Sequence, residues 1–289
     1  MKTMKLITIL LIGLTIISCS EEKFTPISSE DAKVSAKLDA MNDDVSSIVE
    51  EQESKTYADA TTGKISDLGK SQLSNCGTIS RVPDFGTAPT VGQTVTKTID
   101  FGDGCTLNSG NIVSGEIIIS FVYQPQATSH TINYTFDNFT HNGIAYNGNK
   151  TFTRTMITTQ ENPSPHPQVV MNMDFTATLP NGTVYQRIGS RTREIIEGYG
   201  DNILLNNIYK ITGQWATTMP SGVIQNSTIT TSLRVKMSCA ETNKPLIVSG
   251  IITIVRQDTS ATLDFGSGVC DNLAVFTVNG NSYNIVIGN

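Results

Sequence analysis

The sequence predicts a mainly β protein, a large antiparallel meander or sandwich of about ten or more strands with a helix before it. Three observations lead to this fold class. Apolar and polar residues alternate from about residue 94 onwards, Asn-Gly pairs recur along the chain, and only 16% of the residues are charged. The β-region is rich in Thr, Asn, Ser and Gly, a composition typical of exposed sheet faces and turns.

The alternation is clearest in three segments, at residues 131–137, 171–179 and 228–237. In the first segment Ile132, Tyr134 and Phe136 alternate with polar residues. Successive side chains of a strand point to opposite faces of a sheet, so each segment predicts a strand with one buried and one solvated face. Because no helical period follows residue 76, we assign residues 76–289 to one antiparallel β-domain.

A repeated motif, Asn-Gly-x-x-Tyr, supports this assignment. It occurs at residues 142–146, 181–185 and 279–283, with a weaker copy, SGVIQ, at 221–225. Asn-Gly supplies the positive φ angles that tight hairpin turns need, and the tyrosine then begins the returning strand. The copies starting at 142, 181 and 221 are 39 and 40 residues apart. This period predicts long up-and-down hairpins and gives the motif a role in turns and packing.

One helix is predicted before the β-domain, over residues 30–52. Ser28 and Asp31 form a candidate capping box. Apolar residues recur at steps of three and four, at Val34, Leu38, Met41, Val45 and Ile48. The opposite face is polar, which predicts an amphipathic helix that packs on the domain or spaces it from a membrane. Residues 19–29 are interpreted as a tether and residues 53–75 as a linker.

The first eighteen residues have the layout of an export signal. Lys2 and Lys5 precede an apolar run, and small Ser18 precedes Cys19. The run is shorter than the roughly 20 residues of a membrane span. The ending Ile-Ile-Ser-Cys resembles a bacterial lipobox. That resemblance implies cleavage before Cys19 and a lipid on this cysteine; the alternative is an ordinary secretory signal with an incidental cysteine.

The residues after the cleavage point carry a second resemblance. Cys19-Ser20-Glu21-Glu22 is similar to the acidic tether of Bacteroidota-type surface lipoproteins. With the hairpin motifs and the cysteine units described next, the chain resembles the β-rich lipoproteins of such envelopes. The resemblance implies a lipid-anchored location at the outer membrane, with the cell surface as a candidate site. It implies no activity.

Four cysteines remain after Cys19, and an even number in an exported protein favours disulfides. Two of them end similar segments: DFGDGC ends at Cys105, and DFGSGVC ends at Cys270. Each follows another cysteine at a similar distance, Cys76 in the first unit and Cys239 in the second. The repeat therefore predicts the pairs Cys76–Cys105 and Cys239–Cys270. Spacing alone leaves the other pairings open.

The DFGDGC segment also invites a metal interpretation, because Asp100 and Asp103 offer carboxylates to a calcium ion. The second copy has Ser267 in place of Asp103, and neither copy has the dense acids of a calcium loop. No histidine lies near these cysteines at zinc-ligand spacing. We therefore expect structural corners, with no metal or cofactor.

The most polar strand contains a row of arginines. Arg187, Arg191 and Arg193 share a parity, so an extended chain places them on one face of the sheet. Such a row is a candidate ligand face for acidic or sulfated sugars. The alternative is ion pairing with acids on neighbouring strands. Tyr199 and Trp215 are candidates for an aromatic platform, although the parity of Trp215 with Ile211 favours a place in the core.

No catalytic motif is present around His130, His141 or His166, so we expect a protein without enzymatic activity. The net charge is −6 and no basic stripe is present, which argues against nucleic acid as a partner. The function predicted is a lipid-anchored cell-envelope protein, a surface binding or structural module with a glycan or a protein as partner. The alternative is a periplasm-facing carrier of a lipid or another apolar ligand.

Overall fold

The computed structural model describes residues 26–62, 73, 77–201 and 203–287. Over these residues the fold is mainly β, with one α-helix and one 14-stranded antiparallel sheet. The predicted fold class is therefore confirmed, and of its two forms the chain adopts the meander. Each strand pairs with the next along the chain, except that β2 pairs with β4 and the short β3 pairs with β4 alone.

The helix α1 spans Ser29–Thr62. The strands are β1 (Thr78–Val82), β2 (Thr94–Asp100), β3 (Cys105–Thr106), β4 (Ile112–Val122), β5 (Ser129–His141), β6 (Ile144–Ile157), β7 (His166–Thr178), β8 (Val184–Glu197), β9 (Ile208–Thr218), β10 (Ile224–Lys236), β11 (Ile247–Arg256), β12 (Thr259–Ser267), β13 (Leu273–Val278) and β14 (Asn281–Val286). Short 3₁₀ turns lie at Leu204–Asn206 and Met237–Thr242.

The connections between strands differ at the two ends of the sheet. One end, which we call the hairpin end, carries the tight turns after β5, β7, β9, β11 and β13, at 142–143, 179–183, 219–223, 257–258 and 279–280. The opposite end, the loop end, carries the longer connections after β4, β6, β8, β10 and β12. All four copies of the glycine turn motif lie at the hairpin end. The 40-residue period is therefore two long strands, one tight turn and one loop.

Two of the three Asn-Gly pairs, at 142–143 and 279–280, have the positive φ angles at both residues that the sequence predicts, whereas at 181–182 only Gly182 does. Asn142 and Gly143 have φ angles of 50° and 75°, so both central residues of this two-residue turn are left-handed. The following Tyr146 and the equivalent Tyr185 are buried. Tyr283, in the third copy, is 47% exposed, so its role in packing is smaller.

Helix α1 begins as predicted but ends later. Ser28 and Asp31 form the capping box: the Asp31 amide donates to Ser28 Oγ (3.1 Å), and the Ser28 amide donates to Asp31 Oδ2 (3.0 Å). The helix then continues to Thr62, so the prediction of a linker was wrong for residues 53–62. Most of the remaining predicted linker lies outside the described residues, as do the signal segment and Cys19.

The predicted helix packs on the domain, one of the two expected placements, but the expectation of a solvated polar face was wrong. No residue from Leu38 to Val49 is more than 9% exposed, and twelve consecutive residues cover the whole circumference of a helix. The apolar stripe of Val34, Leu38 and Met41 is buried as expected. The polar side is buried too, because the curved sheet surrounds the helix and presents polar side chains to it. The core of the protein therefore lies between the helix and the concave face of the sheet.

The two Asp-Phe-Gly segments form similar corners. Asp100 Oδ1 accepts the amide of Gly102 (2.8 Å), and Asp264 Oδ1 accepts the amide of Gly266 (2.9 Å). Phe101 is buried in the core next to the first of these corners. These contacts satisfy turn amides, as expected for a structural corner.

The predicted Cys239–Cys270 disulfide is present, with the two Cα atoms 5.3 Å apart. It joins the connection after β10 to the connection after β12, at the loop end. Cys105 is also disulfide-bonded. Cys76 lies outside the described residues, so the Cys76–Cys105 pair stays a prediction.

The Cys239–Cys270 bridge closes a loop of 31 residues. Replacing both cysteines with serine is expected to lower the free energy of unfolding by about 3–4 kcal/mol, because the unfolded chain regains the entropy of the open loop. Urea denaturation of the double variant and of the oxidised wild type measures this difference. Equal midpoints in the two curves would show that the bridge does not limit the unfolded chain.

Candidate functional site

The interior of the protein is formed by an acidic helix and a basic sheet face. Helix α1 contains nine acidic residues and three lysines, a net charge of −6. The concave face presents buried cations from β2, β6, β8 and the end of β11. These are Lys97, Lys150, Arg187, Arg191, Arg193 and Arg256. Each lies at the inward parity of its strand, so strand alternation alone aims its side chain at the helix.

The centre of this interface is Asp39. Arg187 Nη1 donates to Asp39 Oδ1 at 2.7 Å, and Arg191 Nη2 bonds the same oxygen. Both guanidinium groups also lie over the ring of Trp215, at 5.1 and 4.1 Å from its centroid. Burial lowers the pKa of Arg187, and Asp39 opposes that effect. Asp39 thus holds two buried cations that would otherwise face each other.

These contacts correct the interpretation of the arginine row. Arg187, Arg191 and Arg193 do share one face, as predicted, but that face is the concave one. They are only 1%, 1% and 5% exposed, so they form no exposed ligand face. The acid that pairs with Arg187 and Arg191 comes from the helix and not from a neighbouring strand. Trp215, expected in the core, is buried.

A second polar cluster surrounds Asp44, one turn further along the helix. Asp44 Oδ2 accepts hydrogen bonds from Asn111 Nδ2 (2.6 Å) and Ser109 Oγ (3.0 Å), and lies 2.9 Å from His141 Nε2. Two further contacts reach the helix from the sheet: Lys150 donates to Asn42, and His130 bonds Glu53. The helix is therefore bonded on several sides along most of its length.

The three histidines all pair with carboxylates. His130 and His141 bond the helix, and His166 Nε2 lies 3.1 Å from Glu194 Oε1. His166 and His141 are fully buried. Their contacts satisfy buried polar groups and link elements of the fold.

Burial shifts several pKa values in this interior. It raises the pKa of Asp43 from 3.8 to about 7, against the opposing charges of Arg191 and Arg193. It lowers the pKa of Lys97 to about 8 and that of Lys150 well below its ordinary value. Desolvation disfavours the charged form of each group, so these directions follow from position. Burying these charged groups therefore costs free energy of desolvation, which opposite charges and hydrogen bonds must offset.

A pocket of about 240 Å³ lies at the loop end, where helix α1 meets β6, β8 and the connection from β8 to β9. Six residues define its chemistry: Glu50, Arg154, Arg193, Tyr199, Ile203 and Tyr209. Its floor is charged, since Arg193 and Glu50 line it, and buried, since Arg193 is only 5% exposed. Its rim is apolar and exposed, because Tyr199 is 46% and Ile203 is 51% exposed.

The floor of this pocket has unused hydrogen-bonding capacity. Arg193 stacks on Tyr209, 3.6 Å from the ring centroid, and its Nη2 donates to Ser47 Oγ at 3.1 Å. Its Nε is 3.8 Å from Glu50 Oε1, too far for a hydrogen bond. Arg193 Nε, Arg193 Nη1 and Glu50 Oε1 are among the buried atoms of the described residues that have no hydrogen-bond partner, as are Arg191 Nε and Nη1 in the core. Burial raises the pKa of Glu50, while Arg193 and Arg154 oppose the rise.

The connection from β8 to β9 positions Tyr199 at the rim. Gly198 has a φ angle of 84°, and a Cβ at this residue would lie 2.5 Å from the carbonyl oxygen of Asn206. Only glycine therefore allows the loop to close back on itself here. Asp201 braces the loop by accepting the Ile203 amide and Asn206 Nδ2, both at 2.7 Å. The tyrosine is held by backbone geometry beside the pocket.

Sequence reasoning found Tyr199 and Arg193 but missed Glu50 and the whole helix side of the interior. A signal for the charged interior was present. In β2, Lys97 shares the inward parity of Val95 and Ile99, and a lysine at an apolar parity indicates a polar partner within the core. In the structure that partner is the carbonyl oxygen of Gln52, 2.6 Å from Lys97 Nζ. The identity of that partner depends on tertiary contacts that no local pattern reports.

Comparisons with protein-family models, curated proteins and solved structures found no match to this chain. Within the part of the chain that the structure describes, no helix has the length and hydropathy needed to cross a membrane. No group of three or more His, Cys, Asp or Glu side chains among those residues is arranged to hold a metal ion.

Asp39 is expected to be the most sensitive acid of the helix. Asp39→Asn removes the charge that Arg187 and Arg191 share, leaving two buried cations uncompensated. The free energy of unfolding should fall by roughly 3–5 kcal/mol. The matched control is Glu30→Gln on the same helix, whose partner Lys33 is exposed and whose loss should cost less than about 1 kcal/mol. Urea denaturation compares the two, and equal losses would contradict a central role for Asp39.

Asp43 is expected to make stability depend on pH. Its pKa is about 7 in the folded protein against 3.8 ordinarily, so between these values the folded state binds a proton that the unfolded chain has released. This contribution is fully present below about pH 4 and is lost as the pH rises through about 7. Asp43→Asn carries no titrating group, so its stability relative to wild type should increase by about 2–4 kcal/mol from pH 4.5 to pH 7.5.

Urea denaturation of Asp43→Asn and wild type at both pH values measures this change. Glu30→Gln controls for the loss of one negative charge from the same helix. A stability difference between Asp43→Asn and wild type that is the same at both pH values would show that Asp43 does not retain its proton on folding.

Proposed function

We propose that this chain is a lipid-anchored cell-envelope protein at the outer membrane, attached through Cys19, that acts as a non-enzymatic binding or structural module. The lipobox resemblance of residues 16–19 supports the anchor. The fold suggests which end of the sheet would lie near the membrane if Cys19 carries the anchor. The partner class stays as the sequence predicts it, a glycan or a protein.

The observation that carries this proposal is the position of the helix start. Asp31 in the first turn lies 3.1 Å from Arg256, which ends β11 beside the 257–258 turn. Ser35, one turn later, accepts a hydrogen bond from Arg187 near the start of β8. Both contacts place the start of the helix at the hairpin end. The chain therefore leaves towards Cys19 from the end that carries the tight turns.

The tether is short compared with the sheet. Nine residues separate Cys19 from the helix start, and an extended chain of that length reaches about 30 Å at most. A strand of 13 residues, such as β5, spans about 43 Å. An anchored Cys19 thus keeps the hairpin end near the membrane and turns the loop end, with its pocket, away from it. This arrangement suits a module that meets a partner outside the membrane.

The interior gives less support to the alternative of a carrier for a lipid or another apolar ligand. Such a carrier needs an open apolar cavity. In the described residues the concave face is occupied by helix α1, and its centre is lined by the charged groups around Asp39. The loop-end pocket beside the helix is small and has a charged floor.

Energy transfer to the membrane tests the anchor and the orientation together. Single cysteines would be introduced at Asp258, at the hairpin end, and at Ser164, in the connection after β6 at the loop end. Each would be labelled with a donor dye in the lipidated protein, reconstituted in vesicles that contain an acceptor lipid. We expect several-fold stronger transfer from position 258, because transfer falls steeply over a distance of about 43 Å.

The control is the same pair of labels in a Cys19→Ala background. Without the anchor the protein should stay off the vesicles, and transfer should vanish at both positions. Equal transfer from both labels in the lipidated protein would refute the orientation. Retention of Cys19→Ala on the vesicles would refute the anchor.

A further inference from the structure

The loop-end pocket described above has the features of a binding site for one small molecule. Its volume of about 240 Å³ lies just below the ~300–1,000 Å³ of sites for drug-sized ligands, so it fits a single ring and not a large cofactor. Buried polar groups in native proteins are normally hydrogen-bonded. Arg193 and Glu50 keep free hydrogen-bonding atoms, and unlike those of Arg191 in the core they lie at the floor of an open pocket, where a ligand can reach them.

The charges of the floor select the class of ligand. Glu50 supplies an acceptor, Arg193 and Arg154 supply donors, and the opposite charges lie side by side. An anion placed on this floor would meet Glu50, and a cation would meet the guanidinium groups, so a singly charged ligand gains from one partner and is repelled by the other. A neutral molecule that both donates and accepts hydrogen bonds meets no such conflict.

A hydroxyl group fits the distances between these atoms. Arg193 Nε and Glu50 Oε1 are 3.8 Å apart. An oxygen placed about 2.8 Å from both atoms accepts from the guanidinium and donates to the carboxylate with ordinary geometry. Arg193 Nη1 and the neighbouring Arg154 offer donors to further hydroxyls. The floor is thus suited to several hydroxyls on adjacent carbons.

The rim supplies the complementary apolar surface. Tyr199 and Ile203 are about half exposed at the mouth of the pocket. The C–H face of a sugar ring packs against an aromatic side chain, while its hydroxyl edge turns to polar groups. In this pocket Tyr199 at the rim can contact the C–H face of a ring, while Arg193 and Glu50 at the floor bond its hydroxyl edge.

We propose that this pocket binds one neutral sugar ring, with hydroxyls on Arg193 and Glu50 and its apolar face on Tyr199. The ring comes either from a free monosaccharide or from the end of a glycan chain, which the open mouth can admit. This inference deepens the proposed binding role and rests on it, because it takes the glycan as the partner and the loop end as the contact surface.

Saturation-transfer NMR on the mature protein, purified with its lipid in detergent, tests the proposal. The probes are the methyl glycosides of glucose, galactose, mannose and N-acetylglucosamine at millimolar concentration, and the disaccharides that end in each of them. We expect at least one methyl glycoside to bind. A disaccharide that binds about tenfold tighter than its methyl glycoside would identify a glycan end as the source, and equal affinity a free monosaccharide.

Variants locate the binding. Tyr199→Ala should weaken it about tenfold, since one aromatic contact is lost, and Glu50→Gln should weaken it to a similar degree. The matched control is Tyr283→Ala on β14, where a tyrosine of nearly equal exposure lines no part of this pocket. That variant should bind as wild type does. Circular dichroism verifies that each variant is folded.

Three results would overturn the proposal. The first is that no sugar in the panel binds. The second is that Tyr199→Ala and Glu50→Gln leave sugar binding unchanged. The third is that leucine, a zwitterion whose charges also match the floor, binds in preference to the sugars. Because the protein is in detergent, none of these depends on membrane orientation. A failed sugar test with an intact energy-transfer difference would reject the sugar site alone, and the reverse would reject the orientation alone.

Discussion

The structure depends on the compensation of buried charge between helix α1 and the concave face of the sheet. A single buried ion costs several kcal/mol in desolvation unless an opposite charge and hydrogen bonds accompany it. Arg187 and Arg191 point inward from one strand and share Asp39 as their anion. Without the helix these cations would lie side by side on the concave face with no anion to pair with them. Without the sheet, Asp39 would lose both of the cations that pair with it. Each element therefore requires the other.

Charged contacts also fix where the helix lies inside the sheet. Hydrophobic contacts are non-directional, so an apolar rod in a curved sheet is free to rotate or slide at little cost. Asp39, Asp44 and Glu53 bond partners on different strands at successive depths. One rotation and one depth satisfy all three. We attribute the conformational specificity of this interior to these contacts, and much of its stability to the apolar stripe through Leu38, Met41 and Val45.

Local features of this fold are predictable from the sequence, and its tertiary contacts are not. The hairpin turns, the Ser28 capping box and the alternation of the strands follow from the chemistry of neighbouring residues, and the Cys239–Cys270 pair follows from a repeat. The polar face of the helix has the same pattern as a solvated face, so no local signal distinguishes water from a basic sheet as its surroundings. The pocket is still harder to predict from the sequence. Its residues Glu50, Arg193 and Tyr199 come from a helix, a strand and a loop, which only the folded chain brings together.

The three inward-facing arginines of β8 have different surroundings because they lie at different distances from the hairpin end. Arg187 and Arg191 lie towards the hairpin end, where the sheet encloses the helix and Asp39 takes both guanidinium groups. Arg193 is two residues further along the same face, yet its nearest acid, Glu50, stays 3.8 Å away. The turns of two to five residues at the hairpin end leave little chain beyond the strands, whereas the ten-residue connection after β8 has enough to form the rim of a pocket. Opposite charges are in direct contact at the depth of Asp39, and they are separated at the depth of Glu50, where the long connection forms a pocket. The same residue type thus pairs with an acid inside the core at one depth and lines an open pocket at the next.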